Sequence, residues 1–262
     1  MKKLLQLFLI FVAILSNAEE FRIVSLSPAM TEIICHLGLR ENLVGRSEVC
    51  NYPESVKNLP IAGAFANPNV EKILRLKPTH IVTNDLINPG VIAIFEQQKI
   101  EVLMMQCNSL LDYEKCIEKI SQLFNKQALA EKEIAKIADF KKNRYKPLNI
   151  KVLWIIFDAP LMVAGANSLP DEILQLAGVA NIAENIGQPY FKCSLDWVIK
   201  QNPDVVIYSG SPNGWRKPIW QKIPAVKKGK IIYDLNEDIT LRMAPRIFEG
   251  IAELRSKLEA LQ

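Results

Sequence analysis

A segment that occurs twice constrains this chain more than any other feature. Residues 69–82 read NVEKILRLKPTHIV and residues 194–207 read SLDWVIKQNPDVVI. Displaced by 125 positions, Val70 falls on Leu195, Glu71 on Asp196, Ile73 on Val198, Leu74 on Ile199, Pro78 on Pro203, and Ile81-Val82 on Val206-Ile207. A second pair obeys the same order: TEIICHLGL at 31–39 and DEILQLAGV at 171–179, offset by 140, place Glu32 on Glu172, Ile33 on Ile173 and Gly38 on Gly178. Helix, proline and buried strand is a common connection, so each match alone is ordinary. The shared order favours two lobes of related design.

The segments between the repeats alternate strand and helix. Residues 22–26 (RIVSL) predict a strand, SPAM a turn, and Thr31 the cap of a helix that Gly38 ends. A helix from about Asn69 to Leu76, strand 80–84, helix 90–99, strand 101–105 and helix 109–124 follow. Such alternation implies parallel sheet with crossover helices. Segment 126–146 has neither Gly nor Pro, and its apolar positions Ala130, Ile134, Ile137 and Phe140 recur at helical spacing, which predicts one long helix ended by Pro147. Strand 151–157 restarts the pattern, and Ile247, Ile251, Leu254 and Leu258 form the stripe of a terminal helix over 244–261. The expected fold is α/β, with two similar lobes built on parallel sheets, 19–125 and 148–262, joined by the interlobe helix 126–147.

The first 18 residues place Lys2 and Lys3 before an apolar run from Leu4 to Leu15 and then Ser-Asn-Ala, the layout of a cleaved secretory signal peptide. The run is shorter than the ~20 residues a membrane span needs. No cysteine lies near the cut, so a soluble exported chain starting near Glu19 is expected. Its loss of two lysines and no acids brings the formal charge from +4 to +2, which leaves no electrostatic footprint for nucleic acid. The five cysteines, Cys35, Cys50, Cys107, Cys116 and Cys193, contain no C-x-x-C, and their odd number leaves at least one unpaired within the chain. Export permits one bridge, and Cys107 and Cys116 are the nearest pair.

Catalytic signatures are missing. The sequence has no G-x-S-x-G, no G-x-G-x-x-G after a strand, no phosphate-binding G-x-x-x-x-G-K-[ST] and no H-E-x-x-H, and its two histidines, His36 and His80, cannot make a three-histidine metal site. Both are expected to be structural or solvated. Two lobes without catalytic machinery imply a ligand cleft beyond the carboxyl ends of the strands. The loops there carry Ser27, Asn84 and the aromatics Phe65, Tyr190, Phe191 and Trp215, which suit a broad, flat, largely apolar ligand.

RIVSLSPAMTEIICHLGL, Val44-Gly45, NYP at 51–53, NVEKILRLKPTHIV and the terminal LRMAPRIFEGI, in this order, resemble the periplasmic substrate-binding proteins of iron-chelate and cobalamin ABC importers. The resemblance covers nearly the whole chain beyond residue 18. It implies two lobes bridged by a single long helix with little closure on ligand binding, no enzymatic activity, and no resident cofactor, the ligand itself being a metal-containing corrinoid or iron chelate. It also implies a monomer that delivers a small molecule to a membrane permease dimer with its ATPase.

Matched to the cobalamin-binding members, Phe65 and Tyr190 stand at two cleft tryptophan positions, and Asp238 to Arg242 stand at the loop that touches the corrin. Asp238 and Arg242 are retained there, Leu241 lies between, and Ile239 and Thr240 replace aromatics. Val49 stands where those members have a tyrosine and Asn84 where they have a tryptophan, so haem or an iron-siderophore is the alternative ligand, with Tyr52 or Tyr190 as the iron ligand for haem. Arg216, Lys217 and Arg242 are the loop cations an acidic siderophore would need. Glu71 and Asp196 fall where a glutamate of each lobe meets arginines of the permease.

Overall fold

A computed structural model describes residues 21–84 and 86–262. The expected signal peptide, residues 1–18, lies outside them, as does Asp85. The chain divides into two compact units, the first reaching Thr31 and resuming over Leu39–Met104, the second comprising Glu32–Gly38 and Met105–Gln262.

In chain order the first strands and helices are β1 (Ile23–Ser25), α1 (Pro28–His36), β2 (Leu43–Ser47), β3 (Ile61–Ala64), β4 (Asn67–Pro68), α2 (Val70–Arg75), β5 (His80–Thr83), α3 (Pro89–Gln97) and β6 (Glu101–Met104). Then come α4 (Leu110–Leu123), α5 (Gln127–Lys142), β7 (Lys151–Asp158), β8 (Leu161–Ala164), α6 (Leu169–Leu176), β9 (Ala180–Asn181), β10 (Tyr190–Lys192) and α7 (Leu195–Gln201). The last are β11 (Val205–Tyr208), α8 (Pro224–Lys227), β12 (Ile231–Ile232), α9 (Glu237–Thr240) and α10 (Ile247–Ala260).

The first unit holds a sheet ordered β4-β3-β2-β1-β5-β6, parallel except where β4 returns antiparallel to β3. The second holds β10-β8-β7-β11-β12, with β9 beside β7. Here the expectation of parallel sheets is corrected. β8 runs antiparallel to β7 and β10 antiparallel to β8, because only Ala159 and Pro160 separate β7 from β8 and so short a link permits a hairpin but no crossover. The core strands are fully buried, as in Val205–Tyr208 and His80–Thr83, and read as continuous apolar runs for that reason.

The repeat of the sequence is a repeat of structure. Asn69 and Ser194, 125 apart, cap α2 and α7 by accepting from the backbone N–H of Lys72 (2.9 Å) and Trp197 (3.1 Å). Lys77 and Asn202, also equivalent, leave their helices at φ +47° and +49° before the matched prolines. Gly38 and Gly178 end α1 and α6 at φ +70° and +75°, which a residue without Cβ adopts at least cost.

Two boundaries differ from expectation. Thr31 is not a cap; α1 begins a turn earlier at Pro28, with Ser27 Oγ accepting from the Met30 N–H at 3.4 Å. Proline at a first helical position loses no hydrogen bond, so SPAM starts the helix. Helix α5 stops at Lys142, before Pro147, where Asn143 Nδ2 donates to Asp139 Oδ1 and Tyr145 turns back edge-on to Phe140. The terminal stripe is as read, with Ile247, Ile251, Leu254 and Leu258 all closed to solvent. On the same helix Arg255 is buried and donates to the carbonyls of Ala177 (2.9 Å) and Lys146 (2.7 Å), placing a cation at the carboxyl end of α6.

Glu133 of α5 has its side chain fully buried. It accepts from Tyr113 Oη (3.0 Å) and Lys136 Nζ (3.0 Å) and meets His36 Nε2 at 2.7 Å. Burial pushes this carboxyl up, but His36 and Lys136 outweigh it and hold the pKa at about 2. A folded pKa below the unfolded 4.5 stabilises above pH 4.5, and that contribution is lost as pH falls from 4.5 toward 2. Glu133→Gln is expected to cost about 3 kcal/mol by leaving the buried Tyr113 hydroxyl and the more exposed His36 and Lys136 without their anion. Urea denaturation at neutral pH checks the cost, and between pH 5 and 2 the variant should lose less stability than the parent.

Candidate binding site

Each unit presents its expected site residues through local geometry. In the first, Ala64 pairs with Asn67 across the β3–β4 hairpin, so Phe65 and Ala66 form a two-residue loop. The loop lifts Phe65 into solvent, 54 % exposed. Val49 lies in the connection after β2 and Asn84 directly follows β5, both half-buried. Ser27 is closed to solvent, and its carbonyl accepts from Thr31 Oγ1 (2.9 Å) and Ser25 Oγ (3.3 Å). Its polar atoms serve the start of α1.

In the second unit the alternation of β10 separates two neighbouring aromatics. Phe191 turns inward, edge-on to Trp197 at 5.3 Å, whereas Tyr190 turns outward and is 44 % exposed. Partial burial raises the Tyr190 phenol, opposed by a hydrogen bond with the backbone of Leu169.

Beyond the carboxyl end of β11 lies a cavity of about 510 Å³. One wall is Trp215 stacked on Tyr233, ring centroids 4.2 Å apart at 22°. The other is Asn236, Glu237 and Asp238, where Asn236 caps α9 by accepting from the Asp238 N–H at 3.1 Å. The loop 209–217 is tied down by Asp158, the last residue of β7, which accepts from Ser211 Oγ (2.8 Å) and Lys217 Nζ (3.1 Å). Burial pushes the Asp158 carboxyl up, but the hydrogen bonds from Ser211 and Lys217 prevail and hold it well below the usual carboxylate range.

Of the segment 238–242, the structure brings Asp238 and Arg242 together and turns Thr240 inward. Arg242 bonds Asp238 through Nη2 and Glu32 through Nη1 (3.2 Å). Glu32, nearly closed to solvent, takes a second guanidinium as a two-pronged contact, from Arg246 Nε (2.8 Å) and Nη2 (2.7 Å). Thr240 is fully buried and donates to the Asn236 carbonyl at 2.9 Å. Ile239 and Leu241 are half-buried. Glu71 and Asp196, expected to dock on a permease, are both exposed, each the second residue of its helix.

Sequence reasoning missed Tyr233, Asp158, Glu32 and Arg246 as parts of this site. For Glu32 a signal existed in its match to Glu172. Arg246 stood in the quoted LRMAPRIFEGI without a role, and the partner of Trp215 has no local signature. Both histidines are engaged: His36 with Glu133, and His80 with Thr79 Oγ1 at 2.7 Å and Glu101 at 3.5 Å. Among the described residues no group of three or more His, Cys, Asp and Glu side chains is placed to hold a metal ion.

Gly214 sits where loop 209–217 passes over β11. A Cβ there would come within 2.1 Å of Tyr208 Oη, 2.4 Å of Ser211 Oγ and 2.8 Å of Asp158 Oδ2. Gly214→Ala is expected to push the loop away, cost about 1–3 kcal/mol, and weaken the Trp215–Tyr233 stack. Near-ultraviolet circular dichroism and thermal melting check this; an unchanged aromatic signal would show that the loop does not depend on the close approach.

The periplasmic binding protein family profile matches residues 23–237. A vitamin B12-binding protein of Vibrio vulnificus is 29% identical over 269 residues, covering 97% of this chain and 96% of that one. Among solved structures, the periplasmic vitamin B12 binding protein BtuF of Vibrio cholerae is similar with a TM-score of 0.76 and 27% identity, over 92% of this chain and 97% of that one. The periplasmic heme-binding protein RhuT from Roseiflexus sp. RS-1, in apo form, is similar with a TM-score of 0.78 and 27% identity, over 93% of this chain and all of that one. The chain belongs to the periplasmic binding protein family and is, with it, an exported substrate-binding protein.

Proposed function

We propose that this protein carries cobalamin or a related corrinoid to the permease dimer and ATPase of an ABC importer, working as a monomer in the periplasm after cleavage of residues 1–18. The observation that carries this reading is the likeness, over nearly the full length of both chains, to a vitamin B12-binding protein. The cavity beyond β11 supports it. Among the described residues Glu237 and Asp238 line that cavity and no lysine or arginine does, a surface that suits the neutral amide arms of a corrinoid better than the propionates of haem.

Haem is the second reading, favoured by the likeness to RhuT, with Tyr52 and Tyr190, each 44 % exposed, as its candidate iron ligands. Titrating the purified protein with cobalamin, haem and a ferric siderophore while following tryptophan quenching decides between them. Saturation by one cobalamin per chain is expected; tighter binding of haem would replace the first reading by the second.

The exposed rings of Phe65 and Tyr190 are proposed to contact the ligand. Loss of a large aromatic contact costs on the order of 2 kcal/mol, or about thirtyfold in affinity. Phe65→Ala and Tyr190→Ala are each expected to weaken cobalamin binding by that factor in the same titration, and wild-type affinity in both would remove these rings from the site.

Glu71 and Asp196 are proposed to dock the carrier on a two-fold permease, each meeting the same basic surface. Charges so placed steer and orient association more than they add affinity. The double variant Glu71→Lys, Asp196→Lys is expected to bind ligand within about twofold of the parent, since both acids are exposed and neither lines the cavity beyond β11. It should fail to support uptake or stimulate the ATPase of the cognate permease in proteoliposomes. Transport at the parental rate would reduce both acids to helix-end charges.

A further inference from the structure

Five thiols are present in the structure, none of them bridged. Two share one buried place. Cys107 lies in the connection that leads into α4, and Cys116 lies two turns inside that helix. The cap of α4 folds this connection back over the helix: Ser109 Oγ accepts from the Asp112 N–H at 3.1 Å while Asp112 Oδ2 accepts from the Asn108 N–H at 3.2 Å. As a result Cys116 Sγ donates to the carbonyl of Gln106, the neighbour of Cys107, at 3.4 Å. Cys107 Sγ donates to the Met243 carbonyl at 3.0 Å. The two residues are 2 % and 1 % exposed.

We infer that Cys107 and Cys116 are an oxidation site, and that a disulfide joins them in the exported protein. This rests on the reading of the chain as exported, since only an oxidising compartment sustains such a bond. The structure shows the dithiol form. In the exchange, one thiolate attacks a sulfur of a disulfide-bearing oxidant and the second thiolate displaces it. One S–S bond forms in the chain and the oxidant's S–S bond breaks. Two S–H bonds of the protein are lost, and the oxidant leaves as two thiols carrying the two protons and two electrons.

The sulfur of Cys107 thereby gives up its donation to Met243, whose neighbour Arg242 is held by Glu32 and Asp238. The contact with Cys116, and then burial, push the Cys107 thiol well up from its ordinary value. In the folded chain it is therefore a poor nucleophile. Oxidation belongs to the interval before α4 packs, when the two cysteines are exposed and separated by only a short, easily closed loop.

The test uses the full chain, secreted under its own leader and purified without reductant. The protein is unfolded in iodoacetamide, digested with trypsin and mapped by mass spectrometry. Lys115 lies between the two cysteines, so trypsin leaves their peptides joined only if the disulfide exists. A linked pair that separates on reduction, with a mass two hydrogens below the sum of its thiol peptides, is expected. Alkylated Cys107 and Cys116 in the unreduced sample, or a link from either to another cysteine, would overturn the inference. The intact mass of the same sample reports separately whether the chain starts near Glu19, so a failure of export is told apart from a failure of oxidation. As a second measurement, protein made in a reducing cytoplasm should gain the link from oxidised glutathione at least tenfold faster in partly denaturing urea than in buffer; equal rates would overturn the placing of oxidation before α4 packs.

Discussion

A buried carboxylate on the first helix governs the geometry of the acidic cavity wall. Glu32 holds Arg246 by two hydrogen bonds and Arg242 by a third, and Arg242 in turn holds Asp238. These contacts span 210 and 214 residues of sequence. A buried ion pair adds little net stability over an apolar replacement of the same shape, because desolvation cancels most of the attraction. Its loss on one side is another matter, since removal of Glu32 would take the carboxylate from Arg246 and leave Arg242 with Asp238 alone. What the cluster supplies is position: it sets the start of α10, the turn after α9 and, through Asp238, one wall of the cavity.

The two repeats share a scaffold and divide its work. Glu172, which matches Glu32, makes no such cluster; its carboxylate accepts from the Leu110 N–H at 3.1 Å and so closes the amino end of α4. The matched helices end alike at Gly38 and Gly178 while their carboxylates do different jobs. The strand ends diverge further. The first sheet offers Phe65 from a two-residue hairpin, and the second offers Trp215 from a loop that Asp158 must anchor. Elements whose form depends on neighbours within a few residues are alike in the two repeats, and the loops are not.

The same distinction explains how much could be read beforehand. The caps Asn69 and Ser194, the glycine stops, the apolar stripe of α10 and the strand after each Lys-Pro or Asn-Pro are local, and the sequence states them within a turn or two. The β7–β8 hairpin was lost because KVLWIIFDAPLMVA reads as one apolar run broken by a proline, and nothing in it says whether the chain crosses over or returns. Trp215 was legible as a loop aromatic, but its stack on Tyr233 was not. Glu32 and Arg246 were legible as residues and illegible as a pair, since no local pattern joins positions so distant. Ser27 was read from its loop and Thr240 from its family position as ligand residues, and in the fold the hydroxyl of each bonds the backbone.

The paired acids of the opening repeat show what a physical reading adds to a pattern. A carboxylate in a first helical turn is ordinarily explained by the helix dipole, at about 0.3–1 kcal/mol. Yet α2 and α7 span only six and seven residues, and their exposed amino ends are already closed by Asn69 and Ser194. Glu71 spends its charge on Arg75 at 2.5 Å, with both side chains about three-quarters exposed, a contact worth little in water. Asp196 has a lysine, Lys200, at the equivalent place. Neither acid therefore supports its own helix to a degree that would require it, and each could be exchanged with small loss to the fold. Two exposed acids at matched positions of matched helices, each with a cation one turn on, therefore meet the condition that the proposed docking sets, since the fold requires neither.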